Sequence, residues 1–258
     1  FDKLKESIKC KNEIFVKNLA RKMYNGEAFI VRNATKKNLK GIMLNLAKHY
    51  DKKQKPSFHK MLDGTPNFHR IIDKKITKKY SLFAIKHSYF LYNWNIKSKL
   101  EKDFKKGVYR HWRYVKFIAG NSKFQYEKNI PSQMQIDRLQ IVNYPHGGGE
   151  LRDHVDPRKN QRVVSGLIMS KKGVDFDQGG FYFRGKNYKK LNIEDRLEIG
   201  DSVIFYGSIV HGVEKVDKNK KLDWKSNDGR WFIGMFVNES NHVKNRITAS
   251  DLSNSTNF

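Results

Sequence analysis

The sequence predicts an α+β protein, with helices from its first half packed on a sandwich or barrel of short strands from its second half. Two textures carry this reading. Up to about residue 130 apolar residues recur at helical spacing, and beyond it they fall into short runs punctuated by glycine. A chain of 258 residues is also long enough to bury a sizeable core unaided. It has to, because its single cysteine, Cys10, allows neither an intrachain disulfide nor a cysteine-built zinc cage, and no role is assigned to it.

In chain order, Ile8, Phe15, Val16 and Leu19 recur at helical spacing, residues 28–31 form a short apolar strand, and Leu39, Ile42, Met43 and Leu46 share one helical face. The aromatic segment 80–104 is expected to be helical in part, with its 89–94 portion serving as packing. Strands are expected at Gln135–Tyr144, 162–169, 180–183, Ser202–Tyr206, 210–216 and 230–237. Gly147-Gly148-Gly149, Gly179-Gly180, Gly200-Asp201 and Asp228-Gly229 mark the turns between them. No internal repeat or low-complexity linker interrupts the chain. It therefore reads as one domain over 1–258: a mainly helical basic part with edge strands (1–130), a strand-rich core (131–245) and a tail (246–258).

The net charge is +26, of which residues 1–130 carry +22 and residues 131–258 only +4. A basic half invites an anionic partner such as nucleic acid, a membrane surface or an acidic substrate. Lysine outnumbers arginine 39 to 13, however, and phosphate or base readout favours the planar arginine fork. A solvated basic face is the preferred reading over a nucleic-acid groove. No run of 18 apolar residues offers a membrane span. Nothing after Phe1 resembles an apolar signal segment, and a lone cysteine fits a cytoplasmic location.

The chemistry concentrates in His154-Val155-Asp156. Residues i and i+2 of an extended segment point the same way, so an imidazole and a carboxylate can converge on one metal ion. Among nine histidines such a triplet also arises by chance, as a His–Asp hydrogen bond at a turn. His211, 55 positions after Asp156, supplies a second imidazole at the start of a strand, and Arg230 opens the next one. Two histidines and one carboxylate form the facial triad of non-haem iron(II) oxygenases, which leaves open positions on the metal.

Residues 136–238 resemble the iron(II)- and 2-oxoglutarate-dependent dioxygenases, and within them the prolyl-hydroxylase-like branch. Leu139 to Gly149 is similar to that branch's strand, tyrosine and glycine-rich loop. His154-Val155-Asp156-Pro157 matches its ligand pair, Gly179-Gly180-Phe181-Tyr182-Phe183 its Gly-Gly strand, and Gly200-Asp201 through His211-Gly212-Val213 its second-histidine segment. The resemblance implies a double-stranded β-helix (jelly-roll, cupin-like) core with the N-terminal helices on its major sheet. It implies a hydroxylase that takes Fe(II), 2-oxoglutarate and dioxygen and releases succinate. His154, Asp156 and His211 would be the metal ligands and catalytic centre. Arg230 would pair with the distal carboxylate of 2-oxoglutarate. The interval of 19 residues from His211 to Arg230 exceeds the branch's usual one. It is read as an extended hairpin loop over residues 217–228 that leaves the two strands paired. Asp156 stands where a halogenating relative would carry a small residue, which favours hydroxylation.

Tyr144 matches a family tyrosine near the cosubstrate, and Gln140 points the same way by alternation. Arg152 and Arg158 flank the ligand pair as candidate holders of an anionic substrate, and His146 reads as a surface histidine. A small polar metabolite, an amino acid or one like it, is the preferred substrate. A protein prolyl hydroxylase is the alternative. A nucleic-acid demethylase is disfavoured because Phe236 occupies the position of that branch's second arginine.

Overall fold

The computed structural model describes residues 2–9, 13–80 and 82–252; Cys10 lies outside them. The order is α1 (Asp2–Lys9), α2 (Glu13–Tyr24), β1 (Phe29–Val31), α3 (Leu39–Lys53), β2 (Phe68–Ile72), β3 (Ala84–Tyr92), α4 (Lys99–Ile118), β4 (Gln135–Tyr144), β5 (Gly149–Val155) and β6 (Val163–Ile168). It continues with β7 (Gly180–Arg184), β8 (Lys190–Asn192), β9 (Ser202–Tyr206), β10 (His211–Val216), β11 (Arg230–Glu239) and β12 (Ser250–Asp251).

The strands make two antiparallel sheets joined by one bent strand. The major sheet runs β1-β9-β6-β11-β4-β3, with β2 beyond β3. The minor sheet runs β5-β10-β7-β8, with β12 against the end of β5. β3 belongs to both: His87 to Tyr92 pair with β4, while Ala84 and Ile85 pair with β5. The sheets face each other as a double-stranded β-helix. β1 and β2 lie at the edges of the major sheet, whereas β3, also from the first half, is internal.

Alternation along β4 and β11 gives the major sheet two different faces. Leu139 and Ile141, with Trp231, Ile233, Met235 and Val237, pack outward against Leu39, Met43 and Leu46 of α3 and Phe104, Val108, Trp112 and Val115 of α4. Gln140, Val142, Tyr144, Arg230, Phe232 and Phe236 face the opposite way, into the space between the sheets. α4 begins at a complete capping box: Ser98 accepts from the Glu101 amide, and Glu101 accepts from the Ser98 amide. Near its other end the buried Lys116 donates to Asp137 on β4 at 2.7 Å, fixing the helix to the sheet.

Three expectations change. The first part of segment 80–104 is the strand β3, because both of its faces are buried and it shows no alternation that sequence could reveal. Two of its aromatics, Phe90 and Tyr92, line the space between the sheets instead of serving only as packing. The connection from β10 to β11 is not a hairpin: β10 pairs with β5 and β7, β11 with β4 and β6, so the chain crosses from minor to major sheet. Phe104→Ala should cost about 3–5 kcal/mol, the range for emptying a fully buried aromatic site. Denaturant unfolding checks this, and a loss below about 1 kcal/mol would mean that α4 is not part of the core.

Candidate active site

The site begins with a register. His211 of β10 is paired with His154 of β5, yet two residues further along β10 Val213 faces Leu151, three residues away on β5. The extra residue is a β-bulge at Arg152-Asp153, and bulges re-aim side chains. Without it Leu151 and His154 would lie on opposite faces; with it both face the cavity. Asp153 turns outward, where Tyr182 and Arg184 of β7 donate to its carboxylate, the latter at 2.9 Å. Gly212 sits opposite the bulge, and any side chain there would run into the Leu151 carbonyl and the Tyr182 hydroxyl.

Each imidazole is then fixed by its own strand. Nδ1 of His154 meets the Arg152 carbonyl and Nδ1 of His211 the Ile209 carbonyl, both at 2.9 Å. Holding a proton on Nδ1 leaves Nε2 with a free lone pair, the form in which histidine ligates a metal. Burial, then the neighbouring His211, holds His154 well below the usual histidine range; burial also lowers His211, against the pull of Asp156. Asp156 follows β5 directly, tied by its amide to the Gly207 carbonyl at 2.9 Å. Its Oδ2 lies 3.5 Å from Nε2 of His211. One donor atom from each of His154, Asp156 and His211 lies within 4.8 Å of the others. Two neutral imidazoles and one carboxylate, gathered this closely and mostly buried, fit a divalent iron with open positions.

Arg230 is buried on the major sheet, opposite Tyr144 in register. Its Nε donates to Glu194 at 2.9 Å, and Glu194 also accepts from the Phe181 amide. That pair fixes the plane of the guanidinium, with its terminal nitrogens still able to donate. Tyr144 is fully buried, its hydroxyl has no partner, and burial pushes its pKa up, so it stays a phenol able to donate. A cation and an orphaned hydroxyl side by side suit a carboxylate of an organic diacid. Gln140 lines the cavity but is occupied with Ser88, at 3.0 Å, and with Nη2 of Arg138, at 3.2 Å.

Arg152 and Arg158 are exposed and do not line the cavity, and Arg152 lies 3.7 Å from the Phe83 ring centre on the outer side of β5. His146 is tied to Asp217 of the crossing loop. Besides Arg230, the cations lining the cavity among the described residues are Lys60, Arg70, Lys79, Lys86, Arg138 and Arg246, none of which sequence reasoning singled out. Burial, with Arg138 and Arg70 beside it, brings Lys86 down to about 8, and burial brings Arg138 down to about 10. Arg138 shares the alternation of Gln140 and Tyr144 on β4 and was readable, whereas Arg70 and Lys86 are not marked among 52 basic residues, because their facing direction depends on β2 and β3 being strands. Glu194 was missed for the same reason, lying in a short turn between β8 and β9.

The chain has the fold of the iron(II)- and 2-oxoglutarate-dependent oxygenases. It superimposes on a Pseudomonas putida prolyl-4-hydroxylase with a TM-score of 0.54 and 10% identity, over 86% of this chain and 97% of that one. A full-length Neurospora crassa protein in complex with α-ketoglutarate (2-oxoglutarate) and 5-formyluracil matches at 0.55 and 13%, over 95% and 84%. SnoN, a non-haem α-ketoglutarate-dependent epimerase from nogalamycin biosynthesis, matches at 0.51 and 8%, over 88% and 84%. No protein-family profile matches the sequence, and no curated protein matches it. Among the described residues no helix is long and apolar enough to cross a membrane.

Iron(II) should stabilise the folded protein by about 2.7 kcal/mol at a hundredfold excess over its Kd. Thermal unfolding under anaerobic conditions reads this gain, which should vanish in Asp156→Ala. An undiminished gain in that variant would place the metal elsewhere.

Proposed function

We propose that this chain is an iron(II)- and 2-oxoglutarate-dependent oxygenase that oxidises an unactivated C–H bond of a small polar molecule. The observation that carries the reading is the convergence of His154, Asp156 and His211 in a cavity that also holds Arg230 and the unpartnered Tyr144 hydroxyl. Bound there, iron with 2-oxoglutarate would supply the activation of dioxygen, with decarboxylation of the cosubstrate to succinate.

The chain's own residues have simpler tasks. His154, Asp156 and His211 would hold the metal through one donor atom each. Arg230, kept in plane by Glu194, takes the distal carboxylate, and Tyr144 donates a further hydrogen bond. Phe181, Phe205 and Phe232 surround this region and limit the access of water. A cavity of about 840 Å³ has the size of pockets that take small ligands, which supports a small molecule over a polymer.

Purified protein with iron(II), ascorbate and labelled 2-oxoglutarate should release succinate slowly alone and faster with a substrate. Arg230→Ala should raise the KM for 2-oxoglutarate at least about 30-fold, since truncating one partner of a buried charge pair costs about 2–5 kcal/mol. Iron affinity should change far less. An unchanged KM would move the distal anchor to another residue, and no iron-dependent succinate at all would sink the proposal.

A further inference from the structure

Arg70, Lys86 and Arg138 stand on the neighbouring strands β2, β3 and β4, and all three line the cavity. The Nε atoms of Arg70 and Arg138 are buried and have no hydrogen-bond partner among the described residues. Both guanidiniums lie near one ring, Arg70 at 4.9 Å and Arg138 at 5.1 Å from the centre of Phe90, so two like charges are gathered around a single aromatic. Phe58 and Tyr80 add further rings around Arg70, at 4.2 and 5.4 Å. The Gln140–Ser88 link holds Arg138 from its other side.

The carboxylates lining the cavity are Asp156 and Glu239. Asp156 belongs to the metal triad, and Glu239 accepts from the Ile247 amide and pairs with Lys159. Arg70, Lys86 and Arg138 are all half-buried, and like charges gathered partly out of water repel and lose hydration, which favours an anion beside them. That anion is not the distal end of 2-oxoglutarate. Arg138 stands six residues along β4 from Tyr144, about 20 Å at the rise of a strand, and Tyr144 is the register partner of Arg230.

We propose that the primary substrate is an organic oxyanion, whose carboxylate or phosphate is bound by Arg138 and Arg70; Lys86, its Nζ 5.9 Å from the Tyr144 ring centre, stands between this site and the cosubstrate end. Calling this ligand the substrate rests on the oxygenase reading above; the anion site itself does not. The rings of Phe58, Tyr80 and Phe90 give a flat, apolar body a surface beside the charge.

The test uses phenyl phosphate and benzoate as probes and benzamide as the uncharged counterpart of benzoate. Each is titrated calorimetrically, without dioxygen, into protein saturated with iron(II) and 2-oxoglutarate. At least one anion should bind, about tenfold or more tighter than benzamide. The stronger of the two identifies phosphate or carboxylate as the natural group. Arg138→Gln and, separately, Arg70→Gln should each weaken that anion about tenfold or more, whereas Lys128→Gln, which removes an exposed charge, should leave it unchanged. Equal binding of benzamide, full affinity in both arginine variants, or strict competition between anion and 2-oxoglutarate would overturn the proposal. A separate titration of 2-oxoglutarate into the iron-loaded protein keeps the two readings apart. Anion binding without 2-oxoglutarate binding would defeat the oxygenase assignment alone. The reverse pattern would defeat the anion site alone.

Discussion

The bulged pairing of β5 with β10 is the constraint from which the site follows. A slip of one residue in a strand moves its whole inward set to the other face. Here that slip is built in at Arg152-Asp153, placing His154 beside His211. It is held from outside by Tyr182 and Arg184 on Asp153, and from across the ladder by the bare backbone of Gly212. The glycine-rich turn before β5 is docked too, with the Gly147 and Gly148 amides donating to the Asp217 and Val216 carbonyls at the end of β10. Gly147, at φ +81°, could not carry a side chain without striking the backbone at Leu222. His154, Asp156 and His211 are thus brought together by main-chain geometry.

The second constraint is the cost of charge in the cavity. Arg230 is buried, and Glu194 compensates it from within the protein. The arginines around Phe90 leave their Nε atoms without a hydrogen-bond partner among the described residues, so the same residue type is treated in two ways within one cavity. A compensated guanidinium acts as a rigid hydrogen-bond donor, while an uncompensated one acts as a source of field. On the proposed reading these different properties would suit cosubstrate anchoring and substrate attraction.

Much of the fold was legible because one-sided strands announce themselves. β4 and β9 were readable to the residue, since their neighbours supply clear turns and β4 alternates helix-facing Leu139 and Ile141 with cavity-facing Gln140 and Val142. β3 was not, because burial on both faces erases alternation and leaves an aromatic run that fits a helix equally well. The gathering of His154, Asp156 and His211 could be anticipated from the order of their motifs. Arg70, Lys86 and Glu194 could not, since each matters only through a facing direction set by long-range pairing, whereas Arg138 shares the readable alternation of Gln140 and Tyr144 along β4. Distance in sequence was equally misleading for His211 and Arg230: the chain between them changes sheets, so its length says little about their separation.

That change of sheet has a further consequence. His154 and His211 belong to the minor sheet and Asp156 follows its strand β5, while Arg230 and Tyr144 belong to the major one. A molecule that chelates at one and anchors at the other must span the gap between the layers. The gap therefore works as a ruler for chain length, with Phe181, Phe205 and Phe232 as its spacers. On the oxygenase reading, selectivity among keto-diacids of different length resides in the thickness of the sandwich and not in either set of polar contacts. Altering those rings would recalibrate it without touching a ligand.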